Sequence, residues 1–270
     1  MDRKIIKAIR GHDILRDNLE EACQRAREIG IESLQLVLEK SIPDFKQGSY
    51  SDEYAKSIKD TLGDIGVCVL GSYINPSEPD DDALRAQIEK FKEKIRFASV
   101  INPTVVGTET GMYIPGETHS EAAYQRVLKT LRELSDYAKE YGVCLGVEGV
   151  HLFVINSPQM IKRLLGDIEN DNIKVIFDPL NLLNMDNYKE QDKIITDMFD
   201  MFREKIVAIH IKDFVIEDGK IKGVAVGEGI LNYKLIFEKM HQYGLNIPMV
   251  LEGTVDGDAQ KAYEYLISQS

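Results

Sequence analysis

Two hydrophobic periods alternate along this chain from end to end. Short β-prone runs are IIKAI (5–9), SLQLVL (33–38), VCVLGSY (67–73), TVVGT (104–108), VCLGVE (143–148), IKVIFD (173–178), IVAIHIK (206–212) and IPMVLE (247–252). Several are almost continuous in apolar residues, the composition of strands covered on both faces. Between them apolar positions step by three and four. Leu15, Leu19, Ala22, Ala26 and Ile29 make one stripe, and Leu84, Ile88, Phe91, Ile95 and Ala98 another. Tyr124, Leu128, Leu131 and Ala138 make a third, with Ser135 in one slot, and further helices fit 52–65, 157–169, 190–203, 232–243 and 256–268. Such one-face stripes pack on the outside of a sheet. Gly30, Gly66, Gly142 and Gly244 each stand just before a strand, where glycine accepts the left-handed turn that ends a helix. Ser157-Pro158 reads as a helix cap followed by a first-turn proline.

Eight strands alternating with eight helices in 270 residues predict a single (β/α)8 TIM barrel, one domain over 1–270. The competing open doubly wound sheet normally carries a glycine-rich phosphate loop after its first strand; the segment here, AIRGHDILRD, has none. Longer loops follow strands three (INPSEPDDD), four (ETGMYIPGETHS) and seven (FVIEDGKIKGVAVGEG). In a barrel these lie on the C-terminal face, where chemistry is housed.

The last four predicted strands each end in a group able to bind metal: Glu148, Asp178, His210 and Glu252, spaced 30, 32 and 42 residues apart. Each interval is about one strand–helix unit, so a closed barrel would bring all four to one rim. Three carboxylates and an imidazole, without thiolate, favour one divalent metal ion: manganese, magnesium, cobalt or iron, with zinc also allowed. Carboxylates that close apolar runs are costly without a counter-charge, which a cation would provide.

The net charge of −12 changes the list of partners. It repels a polyphosphate backbone, so no nucleic acid is expected. KFKEKIR (90–96) is the densest basic segment and reads as a solvated helix face. A small anionic substrate needs only one or two local cations and stays open. No apolar stretch approaches the roughly 20 residues of a membrane span, and the polar start MDRKIIKAIRGHD lacks a secretory core, so no membrane partner and a cytoplasmic location are expected. Cys23, Cys68 and Cys144 form no C-x-x-C pair; Cys68 and Cys144 read as small buried hydrophobes.

VEGVH (147–151), FDPLN (177–181), HIKD (210–213), GEG (227–229) and LEG (251–253) together resemble the xylose-isomerase-like sugar phosphate isomerase/epimerase superfamily. The resemblance implies that Glu148, Asp178, His210 and Glu252 ligate the metal. It also implies that Glu148 and Glu252 act as an acid/base pair on a sugar, sugar phosphate or keto acid through a metal-stabilised enediolate. Ketose epimerases usually place a histidine three residues after the metal-binding aspartate; here that position is Asn181. Their arginine beyond the strand-seven histidine has no counterpart. Such proteins often pair through rim loops, so a homo-oligomer is an open alternative.

Lower-ranked substrate-binding candidates are His151, Lys212 and Glu228 beside Asn181. Lys212 follows His210 by two and so faces the same side, either to hold a substrate oxygen or to pair with Asp213 or Glu252. Glu228 would fix its loop or touch substrate. Glu109 and Arg10 rank lower still, and His12, His119 and His241 read as structural or solvated. An inosose or keto-acid dehydratase is the nearest alternative on this scaffold, and a non-catalytic sugar-binding barrel is a further one. An abasic-site nuclease of the endonuclease-IV type needs more histidines on the early strands, which here end in Leu38, Tyr73 and Thr108.

Overall fold

The apolar runs close into a ring. In the computed structural model, residues 5–14, 16–43, 45 and 49–270 are described; Leu15 and the first four residues, both used above, lie outside them. The strands are β1 (Ile6–Arg10), β2 (Ser33–Leu36), β3 (Gly66–Gly71), β4 (Val105–Glu109), β5 (Leu145–Glu148), β6 (Ile173–Phe177), β7 (Ile206–Ile211), β8 (Asp213–Glu217), β9 (Lys220–Val224) and β10 (Pro248–Leu251). All but β8 and β9 form a closed parallel barrel, which β10 shuts by pairing with both β7 and β1.

Around it run α1 (Leu19–Glu28), a short α2 (Leu38–Ser41), α3 (Asp52–Leu62), α4 (Asp81–Ile101), α5 (Glu121–Glu140), α6 (Pro158–Ile168), α7 (Gln191–Phe202), α8 (Tyr233–Tyr243) and α9 (Asp256–Gln269). Their starts are chemically marked. The side chains of Asn18, Ser51, Asp80, Ser120, Ser157 and Asn232 each accept a hydrogen bond from the amide three residues on.

Boundaries differ from the sequence reading in a few places. Gly30, Gly142 and Gly244 take positive φ as expected, but Gly66 lies inside β3; α3 ends on Gly63, whose φ is 61°. β2 stops at Leu36, so Leu38 opens α2; β3 stops at Gly71, leaving Tyr73 in the loop, and β4 runs on to Glu109. Cys68 is buried, whereas Cys144 is half-buried just before β5. The predicted loop after β7 contains the β8–β9 hairpin. Its turn is Asp218-Gly219, both at positive φ, the two-residue turn that matches strand twist.

The barrel interior is built in layers. Ala8, Val69, Val105, Ile176, Ala208 and Val250 pack together inside it. Gly107 and Gly146 make room for Ile176: a Cβ on either would lie 2.8 or 3.0 Å from its Cδ1. Side chains two residues further along a strand point the same way. Arg10, Asp178, His210 and Glu252 therefore stand above Ala8, Ile176, Ala208 and Val250. The barrel floor thus supports the site directly. Outside the strands a larger apolar core joins sheet to helices, with Phe177 meeting Phe199 of α7 edge-on at 5.7 Å. At the closing seam the Tyr263 hydroxyl of α9 accepts from the Ala8 amide (2.7 Å) and shares its one proton between the carbonyls of Ala8 (2.5 Å) and Met249 (2.7 Å).

Candidate metal centre

The ends of β5, β6, β7 and β10 are successive neighbours around the rim. Glu148 is the last residue of β5, Asp178 and Glu252 follow β6 and β10 directly, and His210 is next to last in β7. His210 Nδ1 lies 3.4 Å from Glu148 Oε2, 3.6 Å from Asp178 Oδ2 and 3.3 Å from Glu252 Oε2. Potential ligand atoms of Glu148, Asp178 and His210 all fall within 4.8 Å of one another, and all three residues are buried. Both ring nitrogens of His210 are buried without a hydrogen-bond partner, and the buried oxygens Asp178 Oδ2 and Glu252 Oε2 have only the Lys212 ammonium, 2.8 Å from each. Buried polar atoms are almost always satisfied. Converging oxygens and nitrogens of this mix fit a single divalent cation.

The electrostatics show how strongly this spot favours positive charge. Burial disfavours the imidazolium of His210, yet Glu148 and Glu252 outweigh it and raise its proton affinity well above the usual histidine range. Burial likewise opposes the charged form of Asp178, but Lys212 and His210 hold its carboxyl down at about 2. Glu252 is also lowered, burial being overcome by His210 and Lys212. Lys212 Nζ stands 2.8 Å from both Asp178 Oδ2 and Glu252 Oε2 and donates to Asn181 Oδ1 at 3.3 Å.

Asn181 belongs to the same cluster. Its side-chain amide donates to Glu148 Oε1 at 2.6 Å, and its main-chain N–H donates to Asp178 Oδ1 at 2.9 Å. His151 sits one step out. Its main-chain N–H donates to the Asn181 carbonyl (2.7 Å) and its ring Nδ1 lies 3.2 Å from the same oxygen, tying the loop after β5 to the loop after β6.

Glu228 is not brought to the cluster. It is exposed, and the nearest cation is Lys261 at 3.8 Å. The GEG segment instead closes on Asp213, which is buried. Asp213 Oδ1 accepts from the amides of Phe214 and Leu231, and Oδ2 from those of Gly227 and Gly229. A Cβ at Gly229 would lie 2.1 Å from Asp213 Oδ1, so glycine is required there. Asp213 is therefore engaged by backbone, and Lys212 pairs with Glu252 and Asp178 rather than with Asp213.

Beside the cluster opens a cavity of about 280 Å³ lined by Glu148, Glu252, Glu109, Arg10, His12, Gln35, Val37, Lys40 and Tyr73. Arg10 donates to Glu252 Oε1 at 2.7 Å and grips Asp13 at 2.8 and 2.9 Å, so both its partners are carboxylates. Glu109, adjacent to Glu148 in register, has its carboxyl pushed up to about 7 by burial, Glu148 and Glu252. His12 differs from the sequence reading: it lines this cavity, with a buried Nδ1 that has no partner. His119 and His241 are exposed. Gln35 and Tyr73 were not singled out by sequence, and the Gln35 amide donates to the Tyr73 hydroxyl at 2.9 Å. Gln35 had a signal all the same. It is the lone polar residue within LQLVL, at a strand position two before a cavity-facing valine.

Comparison with known proteins agrees with this architecture. The sequence profile of the xylose isomerase-like TIM barrel family matches residues 23–269. The L-ribulose-5-phosphate 3-epimerase UlaE of Escherichia coli O157:H7 is 24% identical over 241 residues, covering 86% of this chain and 81% of that protein. Among solved structures, the E. coli 3-keto-D-glucoside 4-epimerase YcjR in its apo form superposes with a TM-score of 0.79 at 15% identity, covering 98% of this chain and 100% of that one. The IOLI protein with a binding zinc atom gives 0.78 at 16% identity, covering 98% of each chain.

Proposed function

This chain belongs to the xylose isomerase-like TIM barrel family, and from that premise we propose that it is a divalent-metal-dependent isomerase or epimerase of an open-chain ketose or ketose phosphate. Glu148 and Glu252 serve as its acid/base pair, and the whole chain works as one domain. The observation that carries this reading is the convergence of Glu148, Asp178 and Glu252 within 3.3–3.6 Å of His210 Nδ1, a buried ring neither of whose nitrogens has a hydrogen-bond partner. The likeness to the E. coli L-ribulose-5-phosphate 3-epimerase supports the reaction class.

A divalent cation held by these four residues would supply Lewis acidity toward a carbonyl oxygen and its neighbouring hydroxyl. The side chains do the rest. Asn181 fixes one oxygen of Glu148, and Arg10 fixes one oxygen of Glu252. One glutamate removes the proton from the carbon beside the carbonyl, leaving an enediolate. The other returns a proton to the opposite face, inverting the centre; return to the former carbonyl carbon would shift the carbonyl instead. Proton transfer by a placed carboxylate contributes roughly 10²–10⁴-fold. Lys212, between Asp178 and Glu252, adds a fixed positive charge beside the reacting oxygens. His151 ties the loop that follows Glu148 to Asn181.

The test is solvent exchange. Manganese-loaded protein in deuterated water is expected to place deuterium on the carbon beside the carbonyl of a ketose or ketose phosphate. No exchange across a panel of both would reject the reading.

A further inference from the structure

Tyr73 stands across the barrel mouth from the cluster: β3, whose end it follows, lies opposite β7 in the ring. Two features hold its ring there. Gly71, the last residue of β3, leaves room for it, since a Cβ at that position would lie 2.9 Å from Tyr73 Cε2 and 2.9 Å from Val37 Cγ2. The ring therefore folds back over the strand end. Its hydroxyl then accepts from the Gln35 side-chain amide at 2.9 Å. Gln35 is only 1% exposed and lies in register with Val69 inside the barrel. A buried amide in such company is costly unless it is bonded. Among the described residues its Oε1 has no partner, so the bond to Tyr73 is the one that offsets its burial.

The pinned ring divides two spaces. Tyr73, Val37 and Lys40 line both the cavity beside the cluster and a second chamber of about 600 Å³. Val37 is short and Lys40 has a flexible stem, so Tyr73 is the rigid part of the wall. Beyond it the outer chamber presents Tyr50, Ser72, Ile74 and Gln87, with Lys90 and Lys94 from the basic segment KFKEKIR. We propose that Tyr73, positioned by Gln35, sets the length of substrate this protein accepts. A single open-chain sugar reaches the cluster, and one that carries a second sugar at its far end is turned away. The inference rests on the proposed function, because it takes the carbonyl end of the substrate to lie at the metal cluster. The far end then lies in the inner cavity, toward Tyr73. At about 280 Å³ that cavity falls below the roughly 300–1,000 Å³ usual for ligand pockets, which leaves little space beyond one sugar. Cutting the Tyr73 ring back to a methyl joins the two spaces and gives an attached sugar a place to lie. Selection of this kind comes from what the wall forbids rather than from what it binds.

The test has two arms. In the first, the full chain in the presence of manganese is titrated by calorimetry with sorbitol and with its 6-O-glucosyl derivative. These are unreactive stand-ins for an open-chain sugar without and with a second sugar at its end. Wild type is expected to bind sorbitol about tenfold or more tighter than the longer alditol. Tyr73→Ala should remove that preference. Gln35→Leu, which frees the ring without shortening it, should weaken the preference but add nothing in the Tyr73→Ala background, where an effect independent of Tyr73 would still add. Equal or absent binding of both alditols by wild type, or an unchanged preference in either single variant, overturns the proposal. In the second arm, manganese-loaded protein exchanges solvent deuterium into D-fructose and into 6-O-glucosyl-D-fructose. Tyr73→Ala is expected to raise kcat/KM for the longer ketose relative to the shorter about tenfold, and an unchanged ratio overturns the proposal. If neither ketose exchanges, the proposed function loses support while the alditol titration still decides the role of Tyr73.

Discussion

Asn181 donates its side-chain amide to Glu148 Oε1 at 2.6 Å, leaving Oε2 of the same carboxylate directed at His210, 3.4 Å away. This contact gives the two oxygens of Glu148 different surroundings, one fixed by Asn181 and one facing His210. Residues that orient a ligating carboxylate typically matter about 10–100-fold for metal affinity or activity. Asn181→Ala is expected to lower manganese affinity or turnover by about that factor, with the far-UV circular dichroism unchanged. Metal titration and deuterium exchange on the variant check this, and wild-type values in both would remove Asn181 from the site.

The acid/base assignment makes a sharper demand. Glu148→Gln and Glu252→Gln each keep the shape of the side chain and remove its ability to take a proton. Each is expected to reduce exchange by about 10²-fold or more while thermal unfolding still shows a single cooperative transition. Unchanged exchange in either variant would exclude that residue from proton transfer.

Much of this site was legible in the sequence because strand ends are marked by chemistry. Glu148, Asp178, His210 and Glu252 each close an apolar run, and strand alternation then fixes the side they face. Lys212 followed from the same rule. Glu228 did not, because nothing local distinguishes a loop carboxylate that meets substrate from one flanked by glycines needed elsewhere. The reason for those glycines, four backbone amides closing on Asp213, exists only once the chain has folded. Tyr73, Glu109 and His12 come from loops or strand ends in the first half of the chain, where no repeated motif announces them. The β8–β9 hairpin had a readable signal in Asp218-Gly219, hidden within what otherwise looks like one long loop.

Glu109 gives the metal-free protein a pH dependence with a defined sign. Its carboxyl is raised from 4.5 to about 7, first by burial and then by Glu148 and Glu252. A carboxyl that binds its proton more tightly when folded adds stability at low pH, and this is lost as pH rises from the unfolded value to the folded one. Melting temperature is therefore expected to fall between pH 4.5 and about 7, and Glu109→Gln should flatten that fall. Bound manganese should flatten it too, by offsetting the charges of Glu148 and Glu252. Asp178 acts with the opposite sign, but between 3.8 and about 2, below this window. An unchanged slope in Glu109→Gln would contradict the assignment.

Barrel closure rests in part on Tyr263, whose hydroxyl joins the Ala8 amide to the carbonyls of Ala8 and Met249 across the β1–β10 seam. Tyr263→Phe leaves those buried groups short of a partner at a cost of about 1–3 kcal/mol. Chemical denaturation should show this loss with an unchanged denaturant slope. Stability within error of wild type would mean that the seam is satisfied in another way.

The proposed chemistry requires the cluster to hold one divalent ion. The direct measurement is equilibrium manganese binding to the purified, chelator-treated chain, compared with His210→Ala and Asp178→Asn. One ion per chain in the wild type, with binding lost or greatly weakened in both variants, is the predicted result. Absence of stoichiometric binding in the wild type, or equal binding in all three proteins, would contradict it.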